Sequence, residues 1–189
     1  MRRRRPKRPQ RRPVFFGCEG ESEVGYGQLI RRLRDEYRLD LHLDVTLLRP
    51  GGGDPLALIE LACEKIARKQ SNRDIRYSIR AVLLDRDKLG RNQHRDHDMF
   101  DLATNEGLRL IWQDPCHEGF LLRHLDGCQS LRPSSAVAAL AELVRRWPDY
   151  TKGSSAAQLA RRIGLQQIAA ATAVEPMLRD FLHDIGFPI

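Results

Sequence analysis

Aromatic side chains are scarce in this sequence: phenylalanine, tryptophan and tyrosine together make up 6% of its 189 residues. The few present are not interleaved with the basic residues, so a platform that stacks the bases of a single strand is not indicated. No apolar run approaches the roughly 20 residues that cross a bilayer, and no apolar segment follows the charged N-terminus as in a secretory signal. We therefore expect no membrane association and a cytoplasmic location.

Cysteine is also rare. The four cysteines stand at positions 18, 63, 116 and 128, and no two of them form a C-x-x-C pair. Such spacing is typical of neither a zinc framework nor a secreted disulfide scaffold. We expect reduced thiols, most of them buried.

The positive charge is concentrated at one end of the chain. The net charge is +7, yet eight of the 32 basic residues fall within the first twelve positions, which leaves 24 basic against 25 acidic residues elsewhere. These eight are Arg2, Arg3, Arg4, Arg5, Lys7, Arg8, Arg11 and Arg12. The rest of the chain, with 41% hydrophobic and 30% charged residues overall, predicts one soluble domain with a substantial core.

Residues 1–13 are rich in arginine and proline and have no apolar periodicity, which predicts a disordered tail. One interpretation is a solubilising tail. The other is a flexible arm that binds the phosphates of a nucleic acid and releases counterions. Arginines spaced by prolines favour the arm, although such a tail selects no base sequence.

Four short apolar runs predict strands at 14–18, 42–48, 78–84 and 108–112. Between them lie helical patterns. Ser22 is the expected N-cap of the first helix, Asp54-Pro55 begins the second, and the third covers about 96–105 with Met99, Phe100 and Ala103 facing inward. This βαβαβαβ order predicts an α/β fold with a mostly parallel sheet covered on both faces.

Beyond Pro115 the pattern is helical. The predicted segments are 117–125, 136–147, 156–171 and a last helix with an apolar stripe of Val174, Met177, Leu178, Phe181, Leu182 and Ile185. The glycines at 51–53 precede a helix, but the lysine and hydroxyl residues of a phosphate-binding P-loop are missing, so we interpret them as a plain loop.

Carboxylates follow two of the predicted strands. Glu19 and Glu23 come after the first strand, and Asp85 and Asp87 come after the third. If these strands are neighbours, the acids converge and repel one another unless a cation neutralises them. Oxygen ligands of this kind suit Mg²⁺ or Mn²⁺. The alternative is that acids at strand ends are solvated or cap helices.

These residues also carry a family resemblance. Cys-Glu-Gly-Glu-Ser-Glu at 18–23 and Asp-Arg-Asp at 85–87 resemble the two signature motifs of the Toprim domain, which topoisomerases, primases and OLD-type nucleases share. Together with Asp-Pro-Cys-His-Glu-Gly-Phe-Leu-Leu-Arg-His at 114–124 and Tyr-Thr-Lys at 150–152, they resemble the RloB-like family within that group. The similarity covers about residues 14–152.

The resemblance implies roles for individual residues. Glu19 would be the general acid/base or a metal ligand, Asp85 and Asp87 would hold the divalent ion, and Glu23 would assist. Glu118 falls where the family has an acid and is a candidate ligand of a second metal or a supporting partner. Lys152 would stabilise negative charge in the transition state.

His117 stands where the resemblance leads us to expect an aromatic residue. His117 and His124 are candidate proton shuttles or phosphate contacts. We expect residues 90–98, which contain His94 and His97, to form an exposed loop with solvated imidazoles rather than a metal site.

The resemblance implies a Toprim-like catalytic domain over 14–130 and a helical extension packed on it over 131–189. It implies a Mg²⁺-dependent nuclease acting on DNA or RNA, in bacterial anti-phage defence, with a protein partner encoded in the same operon. No ATPase half is present, so the chain differs from a complete OLD-type protein. Two alternatives stay open: a non-catalytic nucleic-acid- or partner-binding module, and a small nucleotide phosphohydrolase. The oligomeric state is open as well.

Overall fold

The sheet is built around β1 (Arg12–Cys18), in which every residue from Val14 onward is buried. It pairs in parallel with β2 (Leu41–Leu47) on one side and with β3 (Ile79–Asp85) on the other. β4 (Arg109–Gln113) completes the sheet beside β3, also in parallel. The strand order is β2-β1-β3-β4, so the predicted α/β fold with a four-stranded parallel sheet is confirmed.

The computed structural model describes residues 11–48, 54–73 and 75–189. The predicted loop at 51–53 therefore lies outside the described residues. So does most of the predicted basic tail, namely Arg2, Arg3, Arg4, Arg5, Lys7 and Arg8. The described part begins at Arg11, and β1 begins two residues before the predicted strand, so that Arg12 and Pro13 belong to the sheet.

A helix connects each strand to the next, and the helices cover both faces of the sheet. These helices are α1 (Glu21–Glu36), α2 (Pro55–Arg73) and α3 (Gln93–Asn105). Because successive side chains of a strand point to opposite faces, Val14 and Phe16 pack with α1, whereas Phe15 packs with α2 and α3. This two-faced burial explains why β1 reads as a continuous apolar run.

The second half of the chain adds five helices to the α1 face of the sheet. They are α4 (His117–Leu122), α5 (Ala136–Arg146), α6 (Ala156–Leu159), α7 (Leu165–Thr172) and α8 (Pro176–Asp184). Phe181 of α8 lies against Phe16 of β1, with ring centroids 5.2 Å apart. The predicted extension thus shares one hydrophobic core with the sheet.

One predicted helix is two helices. The pattern at 156–171 led us to expect a continuous helix, but α6 ends at Leu159 and α7 begins only at Leu165. Gly164 is the N-cap of α7 in extended backbone, and its N–H donates to the side chain of Gln167. The stripe was misleading because Leu159, Ile163 and Ile168 all face the core on either side of the break.

The loop predicted at 90–98 is also wrong in its second half. Helix α3 begins at Gln93, because the side chain of Asn92 caps it by accepting a hydrogen bond from the N–H of Arg95. His94 and His97 therefore lie on a helix.

Two residues predicted to face the core are exposed: Phe100 by 44% and Met177 by 54%. Phe100 instead lies near Trp112 of β4, with ring centroids 6.1 Å apart.

The four cysteines are free, as expected, and three of them are buried. Within the described ranges, no helix combines the length and apolar character that a membrane span requires. Nothing in the structure tests the predicted domain limits at 14–130 and 131–189, which stay a prediction.

Candidate functional site

The carboxyl ends of β1 and β3 bring the first two predicted site residues into contact. Cys18 pairs with Leu83, and each strand ends within two residues of that pair. The backbone N–H of Asp85 donates to Oε2 of Glu19 over 3.2 Å. Residues 66 apart in sequence thus meet at the edge of a parallel sheet where open α/β folds place their sites.

Lys88 places a positive charge within this group. Its Nζ lies 2.6 Å from Oε1 of Glu19, and both side chains are mostly buried, at 26% and 14% exposure. Sequence reasoning missed Lys88, since a lysine shortly after Asp-x-Asp is a common surface residue. The only available signal was its position in the turn that leaves β3.

Glu23 sits in the first turn of α1 and is 5% exposed. Its Oε2 accepts a hydrogen bond from the N–H of Gly20 at 2.9 Å, which makes Gly20 the N-cap and corrects the prediction that Ser22 caps this helix. Burial, with smaller contributions from Glu19 and Glu118, raises the pKa of Glu23 to about 7. This carboxyl therefore titrates near neutral pH.

Asp85 is the last residue of β3, and its pKa is raised further than that of Glu23. Burial and the nearby charges of Glu23, Glu19 and Asp87 raise its pKa to about 8, although Lys88 opposes the shift. Its Oδ1 is buried and has no hydrogen-bond partner among the residues that the structure describes. Among the described residues Asp85 forms no ion pair of its own, and the charge of Lys88 only partly favours its ionised form.

Asp87 lies one turn further on and is exposed. Its backbone N–H donates to the carbonyl of Pro115 at 2.9 Å, and the N–H of Arg86 donates to that of Gln113 at 3.0 Å. These two bonds attach the Asp-x-Asp turn to the end of β4. The turn therefore holds Asp87 beside Asp85, whose pKa its charge raises.

Glu118, in the first turn of α4, is the centre of a second group and is 4% exposed. It accepts hydrogen bonds from the Cys116 thiol at 3.2 Å and the Tyr150 hydroxyl at 3.4 Å, and Lys152 Nζ lies 3.5 Å away. Burial alone would raise its pKa, but the hydrogen bonds from the Cys116 thiol and from its own backbone N–H, together with the charge of Lys152, lower it overall. Glu118 is thus a compensated carboxylate, unlike Asp85.

The loop that carries Lys152 is seated on the first turns of α1. The N–H of Gly153 donates to Oγ of Ser22 at 3.0 Å. A Cβ at Gly25 would lie 2.1 Å from the carbonyl oxygen of Ser154, so this approach requires glycine. The contact brings Lys152, whose side chain is 65% exposed, to the edge that carries Glu19 and Glu23.

The two candidate histidines near the site are buried, and their role as proton shuttles stays a prediction. His117 and His124 are fully buried, and burial lowers the pKa of each to about 4. His117 Nδ1 lies 2.5 Å from Nε2 of Gln113 and 3.6 Å from Oε1 of Glu23. It therefore packs against Glu23 on the buried side of the site. His124 bonds to Tyr26 and the Phe120 carbonyl in the core. Because both imidazoles are buried, neither is exposed to a phosphate at the surface.

His94 and His97 are exposed on α3 and face Asp98 and Asp101 one turn later, at 3.7 and 3.4 Å. The expectation that their imidazoles are solvated agrees with this exposure, although the predicted loop is a helix.

The donor set at the strand ends fits a hard divalent cation. All four acids have carboxylate oxygens, and Oδ1 of Asp85, which accepts no hydrogen bond from the described residues, is free to bind a cation. The residues that the structure describes nevertheless contain no group of three or more His, Cys, Asp or Glu arranged to hold a metal ion. The oxygens of Glu19 and Glu23 are turned instead toward Lys88 and backbone N–H groups.

No family model, curated protein or solved structure matches this chain. The Toprim and RloB-like resemblance therefore rests on the sequence motifs and stays a prediction.

Arg11 and Arg12 lie at the amino end of β1, away from the carboxylates. Seven strand residues at about 3.3 Å each put roughly 20 Å between the two ends. The start of the basic segment and the acidic group therefore lie at opposite ends of the strands.

The raised pKa values of Glu23 and Asp85 predict how stability depends on pH in the presence of a chelator. Between pH 6.5 and 8 the folded protein retains protons that the unfolded chain has lost, so the free energy of unfolding falls as the pH rises. Below pH 6.5 the buried histidines oppose this trend, because their lowered pKa values make stability rise with pH. We expect Asp85→Asn to be more stable than the wild type at pH 8 by about 1–2 kcal/mol, and its pH profile to be flatter.

Urea unfolding at half-unit pH steps measures this difference. Glu106→Gln, a change at the exposed C-cap of α3, is the control and should follow the wild-type profile. A wild-type stability that is level or rises between pH 6.5 and 8 would contradict the assignment.

Proposed function

We propose that this protein is a phosphodiester hydrolase that depends on Mg²⁺ or Mn²⁺ and acts on DNA or RNA. The observation that carries the proposal is the contact of Glu19 with Asp85 at the ends of two adjacent parallel strands, in a group with too little positive charge. Buried carboxylates of this kind are arranged in enzymes to hold a cation or to transfer protons.

In this proposal Glu19, Asp85 and Asp87 would hold the ion, and Glu118 would be a ligand of a second ion or a supporting partner. When bound, the ion would lower the pKa of a water molecule and stabilise charge on the phosphate. The bound ion would also give a partner to Oδ1 of Asp85, which is buried and accepts no hydrogen bond from the described residues.

Two further side chains have proton-transfer or charge roles in this proposal. The pKa of Glu23, raised to about 7, suits a general acid/base that works near neutral pH, and the N–H of Gly20 orients its carboxyl group. The Lys152 ammonium is exposed beside the site and would contact a phosphate oxygen as negative charge develops.

The basic tail supports a polymeric substrate over a mononucleotide. It contains eight positive charges, and its described end lies roughly 20 Å from Glu19. With one phosphate every 3.4 Å along a strand, a nucleic acid that touches both places spans about six nucleotides. The tail would add affinity for the phosphate backbone without selecting a base sequence.

The RloB-like resemblance extends the proposal to bacterial anti-phage defence, with a cytoplasmic location and a protein partner encoded in the same operon. This extension is an analogy at the level of the family and adds nothing to the chemistry of the site.

A second candidate function is a non-catalytic module that binds nucleic acid or a protein partner. It is favoured by the ion pair of Lys88 with Glu19, which neutralises part of the group without any metal. The two functions differ in whether divalent ions bind and whether phosphodiester bonds are cleaved. The small nucleotide phosphohydrolase is distinguished by its action on mononucleotides.

We expect Glu19→Gln and Asp85→Asn to lose at least about 100-fold in metal-dependent cleavage while remaining folded. The assay uses plasmid DNA, single-stranded DNA, RNA, tRNA and mononucleotides, each with Mg²⁺ or Mn²⁺. Because Asp85→Asn is expected to gain stability at pH 8, its urea unfolding curve shows whether a loss of activity reflects unfolding.

Glu106→Gln is again the control and should cleave like the wild type. Full activity in both site variants would contradict the proposed reaction, and cleavage of mononucleotides alone would favour the phosphohydrolase. Binding of nucleic acid without cleavage under any of these conditions would favour the non-catalytic module.

Substituting Arg2, Arg3, Arg4 and Arg5 with glutamine should weaken nucleic-acid binding and reduce its salt dependence. The slope of log K against log salt concentration should become smaller by up to about 3–4, because each phosphate contact contributes about 0.7–0.9. Fluorescence anisotropy with labelled duplex and single-stranded DNA at several salt concentrations measures this slope. An unchanged slope would show that these four arginines make no phosphate contacts.

A further inference from the structure

Lys88 stands in the turn that follows β3, three residues after Asp85, and its side chain bends back into the acidic group. Its Nζ contacts Oε1 of Glu19 at 2.6 Å, while only 26% of its side chain is exposed. A lysine normally keeps its ammonium in water, so this burial needs compensation by nearby negative charge.

The compensation comes from several carboxylates. Burial would lower the pKa of Lys88, but the hydrogen bond to Glu19 and the charges of Glu19, Asp85 and Asp87 raise it overall. Lys88 is therefore a cation at every physiological pH. Within the described part of the chain, no other ammonium or guanidinium lies within ion-pair distance of the carboxylates of Glu19, Glu23, Asp85 or Asp87.

The ammonium contacts an oxygen that the proposed function assigns to the metal. Glu19 has two carboxylate oxygens, of which Oε2 accepts from the N–H of Asp85 and Oε1 from Lys88. These two bonds hold the Glu19 carboxylate between Asp85 and Lys88, and the ammonium at Oε1 repels a cation that approaches this oxygen. This explains why an acidic group with the right ligand type lacks the arrangement of a metal site.

We propose that Lys88 is an internal counter-ion that takes the place of the divalent cation in the metal-free protein and is displaced when the ion binds. The proposal rests on the metal site of the proposed function. The single positive charge of Lys88 leaves Oδ1 of Asp85 without a partner, so it compensates the group only in part. A divalent ion carries the larger charge and accepts several oxygens at once, which allows it to displace the lysine.

Displacement costs metal affinity, because the Lys88–Glu19 bond must break before the ion gains Glu19. Removing the ammonium should therefore tighten metal binding. We expect Lys88→Met to bind Mn²⁺ at least about tenfold more tightly than the wild type, which corresponds to about 1.4 kcal/mol. Lys88→Arg keeps the positive charge and should bind nearly as the wild type does.

Isothermal titration calorimetry with MnCl₂ on the full chain measures these affinities. Lys65→Met is the matched control, since Lys65 is a partly buried lysine on α2 and should leave the affinity unchanged. Urea unfolding without metal is a second readout. Lys88→Met should be less stable than the wild type because no cation compensates its carboxylates. Mn²⁺ should remove this difference in stability.

The outcomes separate this proposal from the one on which it rests. If the wild type binds Mn²⁺ and Lys88→Met binds it equally or more weakly, the counter-ion role is overturned and the metal site survives. If neither binds Mn²⁺, the metal site itself is overturned and the displacement of Lys88 with it. Tighter binding by both Lys88→Met and Lys88→Arg would overturn the role of charge and indicate a steric effect.

Discussion

Repulsion among buried carboxylates is the interaction on which the account of this protein depends. The parallel pairing of β1 with β3 puts Glu19 and Asp85 side by side, and the first turn of α1 adds Glu23. Burial disfavours the charged forms of Glu23 and Asp85, and repulsion from the neighbouring carboxylates adds to this effect, so their pKa values rise to about 7 and 8. Such a group is stable as neutral acids, with an internal cation, or with a bound ion. Lys88 supplies the second solution in part.

The rest of the fold fixes the position of these carboxylates but does not neutralise their charge. The Asp-x-Asp turn is attached to the end of β4 by two backbone hydrogen bonds, and the loop carrying Lys152 lies against α1, where only glycine fits at position 25. Glu118, close by, is fully compensated by its own donors. The contrast between the compensated Glu118 and the uncompensated Asp85 shows that burial alone does not explain the conflict. A bound cation, as proposed above, would supply the positive charge that Asp85 lacks.

Strand ends were predictable from the sequence, whereas side-chain pairing was not. Runs of buried, strand-forming residues located β1 and β3 to within two residues, and the rule that parallel strands end at one edge placed Glu19 near Asp85. Local patterns failed where one residue decides the structure, as at Gly164, which separates two helices behind a continuous apolar stripe. The contact of Lys88 with Glu19 depends on the path of a turn, on which periodicity has no bearing.

The most direct test of the central claim is the anomalous diffraction of a crystal soaked in Mn²⁺. The account predicts a manganese peak between the carboxylates of Glu19 and Asp85, with the Lys88 ammonium withdrawn from Glu19. A well-ordered edge without a peak, in which Lys88 remains on Glu19 at high Mn²⁺ concentration, would contradict it. In that case the acids and their lysine would form a closed structural ion-pair group.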